Sequence, residues 1–92
     1  MAIVYASVAT DDFWDLYRDL PPQIKHAARE AYANFEKNAK HPALNFKRLV
    51  NHSDHVSARV NKQYRVLGLW GDPIVWFFIG THADYDRLIR NL

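Results

Sequence analysis

The chain has 92 residues, of which 49% are apolar and 14% aromatic, enough to fill one core and to predict one domain over residues 1–92. This composition excludes a disordered, collagen-like or disulfide-framed chain. The lack of cysteine excludes thiol catalysis, Cys-ligated zinc, iron–sulfur clusters and disulfides. The net charge of +2 is unevenly spread: residues 1–36 carry three bases and six acids, residues 37–65 carry seven bases against Asp54 alone, and residues 66–92 carry two bases and three acids. A basic middle third suits an anionic partner, nucleic acid first, with an ordinary solvated surface as the alternative.

Residues 2–8 (AIVYASV) are β-branched and apolar and predict a strand. No basic start or apolar h-region marks this terminus as a signal peptide, so it reads as mature sequence. The longest strongly apolar run, Ile74–Ile79, is far short of the ~20 residues of a membrane span. A soluble, cytoplasmic chain with no membrane partner is therefore expected. Thr10 followed by Asp11 and Asp12 signals a helix start, and Phe13, Leu16, Tyr17 and Leu20 recur at helical spacing. Pro21-Pro22 ends this helix and opens a second, whose stripe is Ile24, Ala27, Ala28, Ala31, Phe35 and Ala39, closed by His41-Pro42. An antiparallel helical hairpin is predicted.

Beyond residue 43 the apolar period changes to two. Strands are predicted at Leu44–Val50, Val56–Val60, Tyr64–Trp70 and Ile74–Ile79, with turns at Asn51–Asp54 and Gly71–Pro73. Ile74–Ile79 (IVWFFI) is apolar on both faces, as a central strand covered on each side would be. Gly80 breaks it, and Thr81 starts a short helix over Tyr85, Leu88 and Ile89. The order β-α-α-β-β-β-β-α predicts an α+β domain, with an N-terminal strand and helical hairpin packed on a mostly antiparallel sheet and a short C-terminal helix.

Register places two cations together. With Asn61–Gln63 as the loop, Val60 pairs with Tyr64, so Val56, Ala58, Val60, Tyr64, Val66 and Gly68 share an apolar face. The other face carries Ser57, Arg59, Arg65 and Leu67, with Arg59 directly opposite Arg65. Like charges facing each other across a ladder are unfavourable unless an anion sits between them. The alternative is that they splay to solvent or pair with Asp84 or Asp86.

Gly80-Thr81-His82-Ala83-Asp84 lies where the last strand meets the last helix. Gly80 permits a close approach or a positive φ, and Thr81 with Asp84 matches a helix N-cap. His82 then falls in the first turn and is a candidate general base, with a gap-filling surface residue as the alternative. His26 and His41 have no chemical company. His52 and His55 bracket the predicted turn with Asp54 and, with His82, are the only zinc candidates, but their spacing matches no metal motif, and neither metal nor cofactor is expected. No Gly-rich phosphate loop, GxSxG, HExxH or glycosidase carboxylate pair is present.

Phe46-Lys47-Arg48-Leu49, Tyr64-Arg65-Val66-Leu67-Gly68 and Ile79-Gly80-Thr81-His82-Ala83-Asp84-Tyr85, in this order behind a Pro-cornered helical hairpin, resemble the RelE/ParE superfamily of toxins from type II toxin–antitoxin systems. Gly-Thr-His-Ala looks like the YafQ branch of ribosome-associated mRNA endonucleases. The resemblance implies a RelE-like fold and a metal-independent endoribonuclease that inhibits translation. It implies His82 as the acid/base residue, and Arg65 and Arg59 as phosphate stabilisers. Lys47, Arg48 and Lys62 are implied as RNA or ribosome contacts. Tyr85 is read as stacking on a base or, ahead of that, as packing the last helix. Arg59 stands where that branch has a second histidine, and Gln63 where it has an aspartate. The implied partners are a cognate antitoxin, mRNA and the ribosome, in a homodimer or a toxin–antitoxin heterotetramer. A ParE-like gyrase-binding module and an inactive relative are the alternative functions.

Overall fold

A computed structural model describes residues 1–92. Its elements are β1 (Ser7–Ala9), α1 (Asp11–Arg18), α2 (Pro22–Lys37), a 3-10 turn (Pro42–Leu44), β2 (Lys47–Leu49), β3 (His52–Arg59), β4 (Tyr64–Leu69), β5 (Ile74–Thr81) and α3 (His82–Arg90). The five strands form one sheet in the order β1-β5-β4-β3-β2, antiparallel except for the parallel β1–β5 pair. The fold is α+β, as the hydrophobic pattern predicts. Thr10 and Thr81 cap α1 and α3 by accepting hydrogen bonds from the backbone N–H of Phe13 and Asp84, respectively.

Several boundaries differ from the sequence reading for local reasons. The paired part of the first strand is Ser7–Ala9, not residues 2–8. Upstream, Ile3 N–H donates to Asn38 Oδ1 and Ile3 O accepts from Ala39 N–H, which ties this segment to the end of α2. Asn38 Oδ1 also accepts from Lys40 N–H, and this local competition for backbone donors ends α2 at Lys37, before Ala39. Leu44 belongs to the 3-10 turn rather than to β2, and Asn45 reverses the chain at φ 45°, a conformation that asparagine tolerates well. Residues 52–54 belong to β3; the turn is Val50–Asn51.

The Arg59–Arg65 register is as the alternation predicts, and Val60 N–H donates to Tyr64 O. Val56 and Ala58 therefore face the helical hairpin, where they join Phe35, Ala39, Leu44, Ile74 and Trp76 in the larger core cluster. A smaller cluster of Leu49, Leu67 and Tyr85 lies on the opposite face, under α3. On β5 the ladder pairs Leu67 with Phe78 and Gly68 with Trp76, leaving Phe77 as an extra residue. This bulge turns both Phe77 and Phe78 toward the α3 cluster and returns Ile79 to the hairpin face. Two glycines permit close approaches there. A Cβ on Gly68 would stand 2.8 Å from Val75 O, and one on Gly80 2.7 Å from Phe78 Cζ. No glycine has a positive φ, so Gly80 serves the close approach.

Candidate active site on the α3 face

Because side chains alternate along each strand, every second residue of β2, β3 and β4 faces α3. One rung of this face runs Lys47–Ser57–Leu67–Phe78, and the next runs Arg59–Arg65–Gly80. Gly80 has no side chain, so the second rung is open beside Arg65 except for the Phe78 ring. One residue further on, Thr81 caps α3, and His82 N–H donates to Gln63 O at 2.7 Å. The β3–β4 loop thus anchors the first turn of α3.

The same loop holds Arg65. Asn61 Oδ1 accepts from the N–H groups of Gln63 and Tyr64, at 2.8 and 2.9 Å, and so shapes the loop. Arg65 Nη1 donates to the carbonyls of Asn61 and Tyr64, at 2.7 and 3.1 Å. The side chain of Arg59, directly opposite in the ladder, makes no hydrogen bond or ion pair within the protein. Neither arginine has a carboxylate partner, since Asp84 pairs with Arg87 and Asp86 with His82. Two arginines that pair across the ladder and line one cleft without a counter-charge suit an anion, and a phosphate matches the guanidinium donor fork well.

His82 Nδ1 lies 3.0 Å from Asp86 Oδ2, one helical turn along α3. Nδ1 is thus the ring nitrogen engaged by the carboxylate, and Nε2 has no hydrogen-bond partner within the protein. The His82 ring stands edge-to-face on Tyr85, with centroids 6.0 Å apart. Tyr85 is 7% exposed and packs with Leu49 and Leu67, so it supports the histidine from below.

Arg59, Arg65, His82, Asp86, Lys47 and Arg90 border one cleft of about 570 Å³, floored by Ser57 and Tyr85. Asp86 is the only acid lining it. Of the residues singled out in the sequence, His82, Arg59, Arg65, Lys47 and Tyr85 come together here, and His52 also lines the cleft. Arg48 borders the cleft, but its side chain is elsewhere: it pairs across the ladder with Val56, its guanidinium lies 4.9 Å from the Trp70 ring centroid, and Nε donates to Ser53 O. Lys62 is exposed on the β3–β4 loop and does not line the cleft. Asp86 and Arg90 were missed as site residues. Their signal is the helical spacing of four and eight residues from His82.

His52 and His55 stand edge-to-face at 6.3 Å, and no three His, Asp or Glu side chains converge as a metal-binding group. His55 Nδ1 hydrogen-bonds Asp54 at 3.0 Å, and this bond holds the Asp54 carboxyl below its ordinary range.

The sequence model of the ParE-like toxin domain family matches residues 22–87, which run from the start of α2 into α3 and include the cleft except for its Ile89 and Arg90 end. The chain belongs to this family. Two solved structures share the fold of this ParE-like domain. One is the RelB–RelE antitoxin–toxin complex from Methanococcus jannaschii, with a TM-score of 0.67 and 15% identity, covering 87% of this chain and 96% of that one. The other is the RelBE2 toxin–antitoxin complex from Mycobacterium tuberculosis, with a TM-score of 0.64 and 20% identity, covering 87% and 100%. No curated protein matches the sequence. No helix of the ParE-like domain is long and apolar enough to cross a membrane.

Proposed function

We propose that the chain is the toxin of a type II toxin–antitoxin pair and that it inhibits translation by cutting mRNA on the ribosome. The observation that carries this reading is His82, oriented by Asp86, beside two arginines that have no counter-charge. The reaction this arrangement suits is attack by a ribose 2′-hydroxyl on the adjacent phosphorus. His82 Nε2 takes the hydroxyl proton as the oxygen–phosphorus bond forms, and Arg59 and Arg65 balance the charge that builds on the phosphoryl oxygens. The 5′-oxygen takes a proton from water as its bond to phosphorus breaks, His82 then releasing its own proton to solvent. The products are a 2′,3′-cyclic phosphate and a 5′-hydroxyl. The nucleophile belongs to the RNA, so no metal is needed to generate it.

Lys47 and Arg90 are placed to contact flanking phosphates, with Lys62 further out. The match to a ParE-like family and the likeness to two RelE complexes support an antitoxin partner, one whose acidic and apolar segments would cover the cleft. Gly80-Thr81-His82-Ala83 supports the finer likeness to the YafQ branch, and translation inhibition places the activity in the cytoplasm. The ParE-like family match also favours a second reading, a gyrase-binding toxin without ribonuclease chemistry. Such a binder has no use for an oriented imidazole.

The test is pulse expression of the wild-type and His82→Ala chains in a bacterium, with mRNA 5′ ends mapped within minutes. Discrete cuts that fall by about 100-fold or more in His82→Ala are expected, the scale of a lost acid/base group. Growth arrest with intact mRNA and trapped gyrase would replace this reading with the second.

A further inference from the structure

The molecule contains two histidine–carboxylate pairs at a spacing of four residues on helices. They differ in which ring nitrogen they engage and in what surrounds them. On α2, His26 Nε2 meets Glu30 Oε1 at 2.7 Å, and both side chains are about two-thirds exposed. On α3, His82 Nδ1 meets Asp86 Oδ2 at 3.0 Å, and exposure falls to 47% and 44%. The first pair occupies the end of the imidazole remote from the backbone. The second occupies the near nitrogen and leaves the far one, Nε2, open. Asp86 is also the one acid in a cleft that carries Lys47, Arg59, Arg65 and Arg90, yet it is paired with none of these cations.

We infer that Asp86 is a positioning residue for proton transfer at His82, a role that rests on the ribonuclease reading above. Its carboxylate fixes the tautomer with the proton on Nδ1, so that Nε2 meets the ribose hydroxyl unprotonated. The pair is three-sided: Asp86 holds Nδ1, Tyr85 supports the ring edge-to-face, and Gln63 O accepts from the His82 backbone N–H. When Nε2 gains a proton, the imidazolium that forms faces Asp86 as its counter-charge, as in hydrolases that use a carboxylate behind a histidine. The carboxylate also imposes a cost, because it repels RNA from a cationic cleft. Removing it therefore leaves binding unchanged or tighter while slowing cleavage. A residue that only stabilised α3 would not separate the two.

The experiment has two arms. In the first, imidazole ¹⁵N shifts of the full chain are read above pH 8, where the neutral ring shows which nitrogen holds the proton. His82 with protonated Nδ1 and bare Nε2 is expected in the wild type, and loss of that signature in Asp86→Asn. In the second, cleavage of a defined mRNA in a reconstituted translation mixture is compared with binding of a single-stranded RNA oligonucleotide. Asp86→Asn should cut at least ~10-fold more slowly at undiminished binding, with part of the rate restored by Asp86→Glu, while Glu30→Gln behaves as wild type. A proton found on Nε2, or an Asp86→Asn chain that cuts at the wild-type rate, would overturn the inference and leave the ribonuclease reading standing. A wild-type chain with the expected tautomer that cuts no RNA would overturn that reading, and the role of Asp86 with it.

Discussion

The two faces of the sheet are built from the same strands and carry opposite burdens. On the hairpin face, Phe35, Ala39, Leu44, Val56, Ala58, Ile74 and Trp76 form a dry cluster, edged by the tilted and edge-to-face rings of Tyr5, Phe46 and Trp70. On the α3 face, apolar burial is confined to Leu49, Leu67 and Tyr85, with Phe77 and Phe78 half covered, and the remaining area is a cationic cleft over the buried Ser57. The difference follows from what covers each side. Two helices shield one face, whereas the nine residues of α3 pack chiefly against β4 and β5, reach β2 at Leu49 and leave much of β2 and β3 open. A fold of this size can accept two unpaired arginines on one face because the other supplies most of the apolar burial.

The sharpest way to break this division is to exchange its expected costs. Trp76→Ala on the hairpin face should lower stability by about 3–5 kcal/mol, a large part of what a small domain has in total. Arg59→Ala on the α3 face should change stability by less than ~0.5 kcal/mol, or raise it slightly by relieving Arg65. Urea denaturation of both variants measures this. Comparable losses would mean that the cleft residues are structural.

A smaller effect separates two neighbours in the sequence. Lys47 pairs across the ladder with Ser57 and so faces the cleft, whereas Arg48 pairs with Val56 and lies over Trp70. Lys47→Ala should reduce the slope of log binding constant against log salt by about 0.7 for single-stranded RNA, the share of one phosphate contact. Arg48→Ala should leave that slope alone and instead cost about 0.5–1 kcal/mol of stability from the lost cation–π contact. Binding titrations at several salt concentrations, paired with melts, check both halves. An equal change of slope would put both residues on the RNA face.

The contrast between these neighbours also marks what the sequence could reveal. The β3–β4 register was legible because one alternating set is wholly apolar, so a one-residue slip would expose it. Arg59 opposite Arg65 followed from that argument alone. The side on which Arg48 lies was not legible, because β2 is three residues long and alternation has no run to act on. Nor was the bulge in β5. Ile74–Ile79 is apolar at every position, so nothing in the pattern distinguishes Phe77 from its neighbours, and only pairing with β4 does so. The paired length of β1 depended on a distant hydrogen bond from Ile3 to Asn38. His82 stood out through its place after the last strand. Its partner did not, since a carboxylate four residues from a histidine also occurs at His26 and Glu30, where no cleft surrounds it.

A last comparison lies within the α3 face, between His82–Asp86 and the second imidazole–carboxylate contact, His55–Asp54. His55 packs edge-to-face on Phe77, away from the arginine rung, while Asp54 is exposed. The hydrogen bond from His55 is the main cause that holds the Asp54 carboxyl below its usual value. A carboxyl whose folded value lies below its unfolded one contributes stability above the unfolded value, about 3.9, and loses it as pH falls through the folded one. Asp54→Asn should therefore flatten the decline of Tm below about pH 4, lower Tm only slightly at pH 7, and leave RNA cleavage unchanged because the pair lies outside the cleft. Thermal melts from pH 7 to 2 read the first two effects. An acid limb identical in the variant would mean that the His55 bond is not held in solution. A loss of cleavage would mean that the functional surface extends past β3 to its exposed start, and that the division between a cationic end and an inert end of this face is drawn in the wrong place.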